Sequence, residues 1–155
     1  MLVNRFTVRI EWADCDPAGI VYYPRYFAMF DTATHHLFEA AGWKKRDLIS
    51  EFDIVGIPMV DTRAKFTAPS SFGDDVVIET RIAAFRNSSF DVEHKAFKPS
   101  ESGEHLAIEA WETRVWVGRH PDDATRLKSR PIPRRVIARL SGIDETNLGG
   151  TDHGG

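Results

Sequence analysis

The sequence predicts an α+β domain in which a five-stranded antiparallel sheet wraps around one long helix. Three observations carry this. A strand-like alternation opens the chain, a single long helical pattern follows it, and four more period-2 segments come after the helix. A sheet with one main helix on one face leaves apolar surface and strand edges uncovered, so self-association is expected.

The elements follow in order. Phe6-Thr7-Val8-Arg9-Ile10-Glu11-Trp12 alternates as a half-buried strand does. It stops at Ala13-Asp14-Cys15-Asp16-Pro17-Ala18-Gly19, which is dense in turn formers. From Pro24 to Ala41 the apolar positions Tyr26, Met29, Phe30, Ala33 and Leu37 recur every three or four residues. Pro24 suits the first helical turn and Gly42 the position just past the end. Strands are expected at Met59–Phe66, Asp75–Phe85, Ser88–Phe97 and Glu104–Val117, the last three as a meander. Trp111 and Trp116 fall on opposite faces of the last strand by parity, and both are read as packing residues. A short helix runs from Pro133 to near Gly142. The organisation is therefore one domain over 1–143 and a Gly-rich tail over 144–155, expected to be disordered.

Composition narrows the function classes. The chain has 155 residues, 42% of them hydrophobic and 28% charged, an ordinary globular mixture with room for a core. A net charge of −3 gives no pull toward nucleic acid or an anionic membrane. No apolar run reaches the roughly 20 residues that span a bilayer. The lone Cys15 makes no internal disulfide, and a cytoplasmic protein is expected. Walker-type, dinucleotide-binding and G-x-S-x-G patterns are absent, and no metal is expected. His35 and His36 are adjacent on the helix, whereas a metal pair there needs i, i+4 spacing. Asp14 and Asp16 flank Cys15, and that negative charge disfavours a thiolate nucleophile.

The informative segment is Asp14-Cys15-Asp16-Pro17-Ala18-Gly19-Ile20-Val21-Tyr22-Tyr23-Pro24. It places two carboxylates shortly before a helix N-terminus, where unpaired N–H groups can hold an anion or a developing oxyanion. A carboxylate there can act as nucleophile or general base. The competing reading is that Asp14 and Asp16 only bond loop amides in Asx turns.

Asp14 to Val21, followed by Tyr23-Pro24 and Tyr26, closely resembles the signature of the 4-hydroxybenzoyl-CoA thioesterase family, hotdog-fold acyl-CoA thioesterases. Ile54-Val55-Gly56 with Pro58, Asp74-Asp75 before Ile78-Glu79-Thr80, and Arg86 with Ser89-Phe90 match in the family's order. The resemblance implies hydrolysis of an acyl-CoA, at its head 4-hydroxybenzoyl-CoA, with no cofactor other than the coenzyme A of the substrate. It implies that Asp16 attacks the thioester carbonyl or activates water, that the Tyr23 N–H polarises that carbonyl, and that Gly19 admits the substrate close to the backbone. It aligns Asp31 with the acid that faces the aryl 4-hydroxyl; the residues alone equally allow Asp31 on a polar stripe with Thr34 and His35. Arg86 stands where the family carries a basic run, but Asn87 and Ser88 replace the other cations. Thr62 and Ser89 are expected as minor polar contacts, and Arg63, Lys65 or the basic residues between Arg126 and Arg135 as helpers. The family's site forms between protomers, which implies a homodimer or homotetramer. The alternatives are an aliphatic acyl-CoA thioesterase, a hotdog hydratase or dehydratase, and a non-catalytic acyl-CoA-binding module. The second ordinarily needs a histidine beside the acid, and the loop from Asp14 to Tyr23 has none.

Overall fold

In the computed structural model, residues 1–143 are described; the expected tail over 144–155 lies outside them. Helix α1 (Tyr23–Ala40) packs on a sheet of β1 (Val3–Arg9), β2 (Met59–Phe66), β3 (Asp75–Phe85), β4 (Ser89–Ser100) and β5 (Gly103–Val115). The strand order is β1-β3-β4-β5-β2, with every neighbouring pair antiparallel. The edges are therefore β1 and β2. The alternation of β3, β4 and β5 reaches the core as expected, while the edge strands β1 and β2 have no fully buried residue. Val76, Ile78 and Ile82 on β3, Phe90, Val92 and Ala96 on β4, and Ile108 and Ala110 on β5 are all buried. From above, α1 buries Phe30, Ala33 and Leu37 completely. Each of the Val, Ile, Leu and Phe side chains among them contributes about 1.5–3 kcal/mol of transfer free energy.

Several boundaries differ from the expectation. The first strand ends at Arg9 rather than Trp12, because Ile10 turns its N–H to Asp74 and Trp12–Asp14 coils into a 3-10 turn. There Trp12 stacks on Phe72, ring centroids 4.2 Å apart. The last sheet strand stops at Val115. Trp116 then separates it from β6 (Val117–Arg119), which pairs with β7 (Leu127–Ser129) in a two-stranded ribbon. Helix α2 (Lys45–Phe52) was not anticipated. It buries Leu48 and packs Ile49 and Phe52 against the core, but its eight residues are too few for the apolar face to repeat as it does along α1. Helix α3 (Arg134–Leu140) closes the domain by burying Val136, Ala138 and Leu140. Trp116 falls just outside the strand on which parity placed it and is buried, while Trp111 on β5 is half-buried under the Arg63 guanidinium at 4.2 Å.

Candidate active site

The segment before α1 is pinned by its own backbone. Cys15 and Val21 form an isolated antiparallel bridge, and Asp16 donates its N–H to the Ile20 carbonyl at 2.9 Å. Val21 is tied to Ser70 and Tyr22 to Asp14 through N–H donors at 2.9 and 2.8 Å. Gly19 turns the chain at φ 82°, in the left-handed region that an L side chain resists. A Cβ at Gly19 would meet no atom within 4 Å, so within one chain conformation, not crowding, requires the glycine.

Within this loop the two acids differ. Asp14 completes a capping box with Glu11, its Oδ2 accepting that residue's N–H at 3.0 Å. Asp16 is half-buried and uses Oδ1 to accept the Ala18 N–H at 2.8 Å, an Asx turn. Its Oδ2 has no hydrogen-bond partner among the described residues. The local-turn reading thus accounts for one carboxylate oxygen of each acid. The half-buried Cys15 thiol points to the Glu11 carbonyl at 3.6 Å.

Helix α1 begins at Tyr23 without a side-chain cap, with Pro24 in its first turn. The Tyr23 N–H has no acceptor among the described residues. It therefore keeps the unpaired donor and partial positive charge of a helix start. Tyr23, Val21 and Tyr26 line an apolar cavity of about 270 Å³ whose other wall is Phe66, Ala68 and Pro69, at the end of β2. Loop, helix start and apolar hollow lie together.

Asp31 sits two turns further along α1, about 12 Å up the axis at 1.5 Å per residue. Its side chain is 54% exposed, yet Oδ1 lies 2.7 Å from Nη2 of Arg114, which is 3% exposed. Sequence reasoning missed the group behind it. Arg114 Nε bonds Glu112 at 2.9 Å, and Arg114 Nη1 bonds the Ile57 carbonyl at 3.1 Å. Glu112 faces His94 Nε2 at 3.4 Å and accepts the Thr34 hydroxyl at 3.2 Å; Thr80 meets His94 Nδ1 at 2.8 Å. Burial alone would push the Glu112 carboxyl up, but the His94 ring and the Arg114 guanidinium bring it down to about 2. Burial in turn depresses His35, against an opposing pull from Asp31 3.9 Å away. A signal for this chain existed. On the core-facing parity of β5, Ile108 and Ala110 are followed by two charged residues, Glu112 and Arg114.

The remaining candidates stand elsewhere. Thr62 on β2 donates its hydroxyl to the Trp111 carbonyl at 3.2 Å. Arg86 in the β3–β4 turn grips Asp91 with both Nη atoms, at 2.8 and 2.6 Å, and bonds Ser89 Oγ through Nε at 2.8 Å. Arg86 and Ser89 are thus joined to each other, and neither is bonded to the Asp16 loop. Among the expected helpers, Arg130 is spent on the Asp53 and Arg119 carbonyls. Among the described residues no cluster of three or more His, Cys, Asp or Glu side chains could hold a metal ion. No helix there is long and apolar enough to cross a membrane.

A family model, the thioesterase-like superfamily, matches residues 10–140 of this chain. The chain belongs to the thioesterase-like superfamily. Within this superfamily it is similar to the 4-hydroxybenzoyl-CoA thioesterase of Pseudomonas sp. (strain CBS-3), 36% identical over 137 residues that span 86% of this chain and 94% of the relative. The solved structure of the Pseudomonas enzyme superposes with a TM-score of 0.81 at 33% identity, covering 90% of this chain and 99% of that one. A gentisyl-coenzyme A thioesterase superposes with a TM-score of 0.74 at 30% identity, covering 89% and 99%. The fold of this superfamily member is the hotdog, and its enzyme class is thioester hydrolase.

Proposed function

We propose that this superfamily member hydrolyses an aryl-CoA thioester, with 4-hydroxybenzoyl-CoA as the leading substrate, to the free acid and CoA. The observation that carries the reading is the pairing, in one pinned loop, of an Asp16 oxygen without a protein partner and an uncapped Tyr23 N–H on an apolar cavity wall. The similarity to enzymes that act on aryl-CoA esters supports the substrate class.

In this reading the thioester carbonyl oxygen rests on the Tyr23 N–H. That donor stabilises the oxyanion as it develops, by about 3 kcal/mol if it resembles other single oxyanion-hole donors. Asp16 either attacks the carbonyl carbon itself or takes a proton from the attacking water. In the first case the C–S bond breaks to give a mixed anhydride, which water then hydrolyses. In both, sulfur leaves as a thiolate and needs no strong general acid. Gly19 keeps the loop in its left-handed bend and leaves the space above it open to substrate.

The acyl end is met by Asp31, and this requires two subunits. Within one chain Asp31 lies about 12 Å along the helix from the Tyr23 N–H, much further than a benzoyl group reaches. Edge strand β2 runs alongside α1, with Phe66 at the Tyr23 end and Met59 at the Asp31 end. Two copies joined edge to edge through β2 about a two-fold axis bring the Tyr23 end of one against the Asp31 end of the other. A homodimer is the minimum in this reading, and a homotetramer is compatible with it. At the CoA end, Arg86, oriented by Ser89 and Asp91, retains guanidinium N–H donors for phosphate, with Thr62 as a minor polar neighbour.

A thiol-release assay with 4-hydroxybenzoyl-CoA tests the reading. Turnover is expected to collapse in Asp16→Asn, with the fold intact by circular dichroism. An unchanged rate overturns it.

A further inference from the structure

We infer that Arg114 is a positioning residue that aims Asp31 at the acyl group, so that the buried ion chain behind it sets the preference for a hydroxylated ring. This rests on the aryl-CoA reading above and deepens it.

The chain from Thr80 through His94 and Glu112 to Arg114 is buried throughout. Burying an ion pair is expensive, and an apolar replacement of similar volume is often no less stable. Core stability therefore gives little reason to keep two charges on the inner face of β5. Geometry supplies one. All three guanidinium nitrogens of Arg114 are engaged, by Glu112, Ile57 and Asp31, so the guanidinium is held in one orientation. Of the residues in this chain, Asp31 alone is exposed, and it lines a cavity of about 280 Å³ with the apolar side chains of Ile57, Pro58, Met59 and Leu127, His35 and Lys45 also standing in its wall.

The pairing engages Oδ1 of Asp31 and leaves Oδ2 without a partner among the described residues. A loose surface aspartate would sample several rotamers; this one is fixed with an acceptor oxygen uncommitted. An apolar hollow with one fixed acceptor suits a neutral ring carrying a hydroxyl donor.

The experiment compares kcat/KM for 4-hydroxybenzoyl-CoA and benzoyl-CoA. It uses wild type, Arg114→Lys and the double variant Glu112→Gln/Arg114→Met. Arg114→Lys keeps the buried charge and hence the fold, but an ammonium lacks the fork that bridges Glu112 and Asp31. The double variant removes the charge together with its partner. Positioning predicts that the preference for the hydroxylated substrate falls about tenfold in the double variant, the value of one hydrogen bond to a charged group. A smaller loss is expected in Arg114→Lys, and benzoyl-CoA turnover stays within about threefold in both. Parallel losses on the two substrates, or an unchanged preference in whichever variant folds, overturn the inference. Wild type inactive on both substrates overturns the aryl-CoA reading instead.

Discussion

Arg114 Nη2 and Asp31 Oδ1 stand 2.7 Å apart, one side chain sealed in the core and the other opening to a cavity. The pair links the interior of the sheet to the surface of α1. In the proposed reading it is the route by which a core residue influences substrate choice.

If Asp31 meets the ring hydroxyl, its removal should be selective. Asp31→Ala is expected to lower kcat/KM for 4-hydroxybenzoyl-CoA by about tenfold or more while sparing benzoyl-CoA. Steady-state kinetics on the two substrates decide the matter, and equal losses would count against this role.

A site shared between subunits can be reconstituted from two parents that each turn over 4-hydroxybenzoyl-CoA poorly. Mixing Asp16→Asn and Asp31→Ala subunits after reversible dissociation should recover about one quarter of wild-type sites, since half the dimers are mixed and each holds one intact site. Mixtures no more active than the parents would place both acids in one chain's site.

Glu112 makes stability depend on acid. Its carboxyl lies at about 2 in the fold against an ordinary 4.5, so the unfolded chain binds the extra proton. The contribution, roughly 3 kcal/mol at 1.36 kcal/mol per pH unit, is present above pH 4.5 and drains away as pH falls toward 2. Urea unfolding between pH 2 and 6 should show this slope in wild type and a flatter one in Glu112→Gln.

Gly19→Ala tests the loop's backbone. No atom obstructs the new methyl group, so the cost is that of φ 82°, about 1–2 kcal/mol. A melting temperature lowered by a few degrees, with a larger proportional loss of turnover, is the expected result. A neutral outcome in both would mean that the loop relaxes freely.

Phe30 lies fully buried on the inner face of α1 with its ring 5.0 Å from that of His94. Phe30→Ala is expected to destabilise by about 3–5 kcal/mol, measured as a fall in the urea midpoint.

The architecture and the loop were legible in the order of residues because both are local. Alternation in Asp75–Phe85 and the three-to-four spacing of Tyr26, Met29, Phe30, Ala33 and Leu37 report a buried face directly. The run from Asp14 to Tyr23 likewise shows an acid, a turn and a helix start by adjacency alone. Helix α2 carries the same signal in Leu48, Ile49 and Phe52, but over only eight residues, too short a run to tell from a loop by spacing alone. Only the fold decided that Asp31, 83 positions from Arg114, would be paired with it, because β5 runs beneath α1 and a buried guanidinium must find its acceptors wherever packing places them. It also decided that Arg86 would be held by Asp91 and Ser89, since a hairpin register brings together charges that composition counts separately.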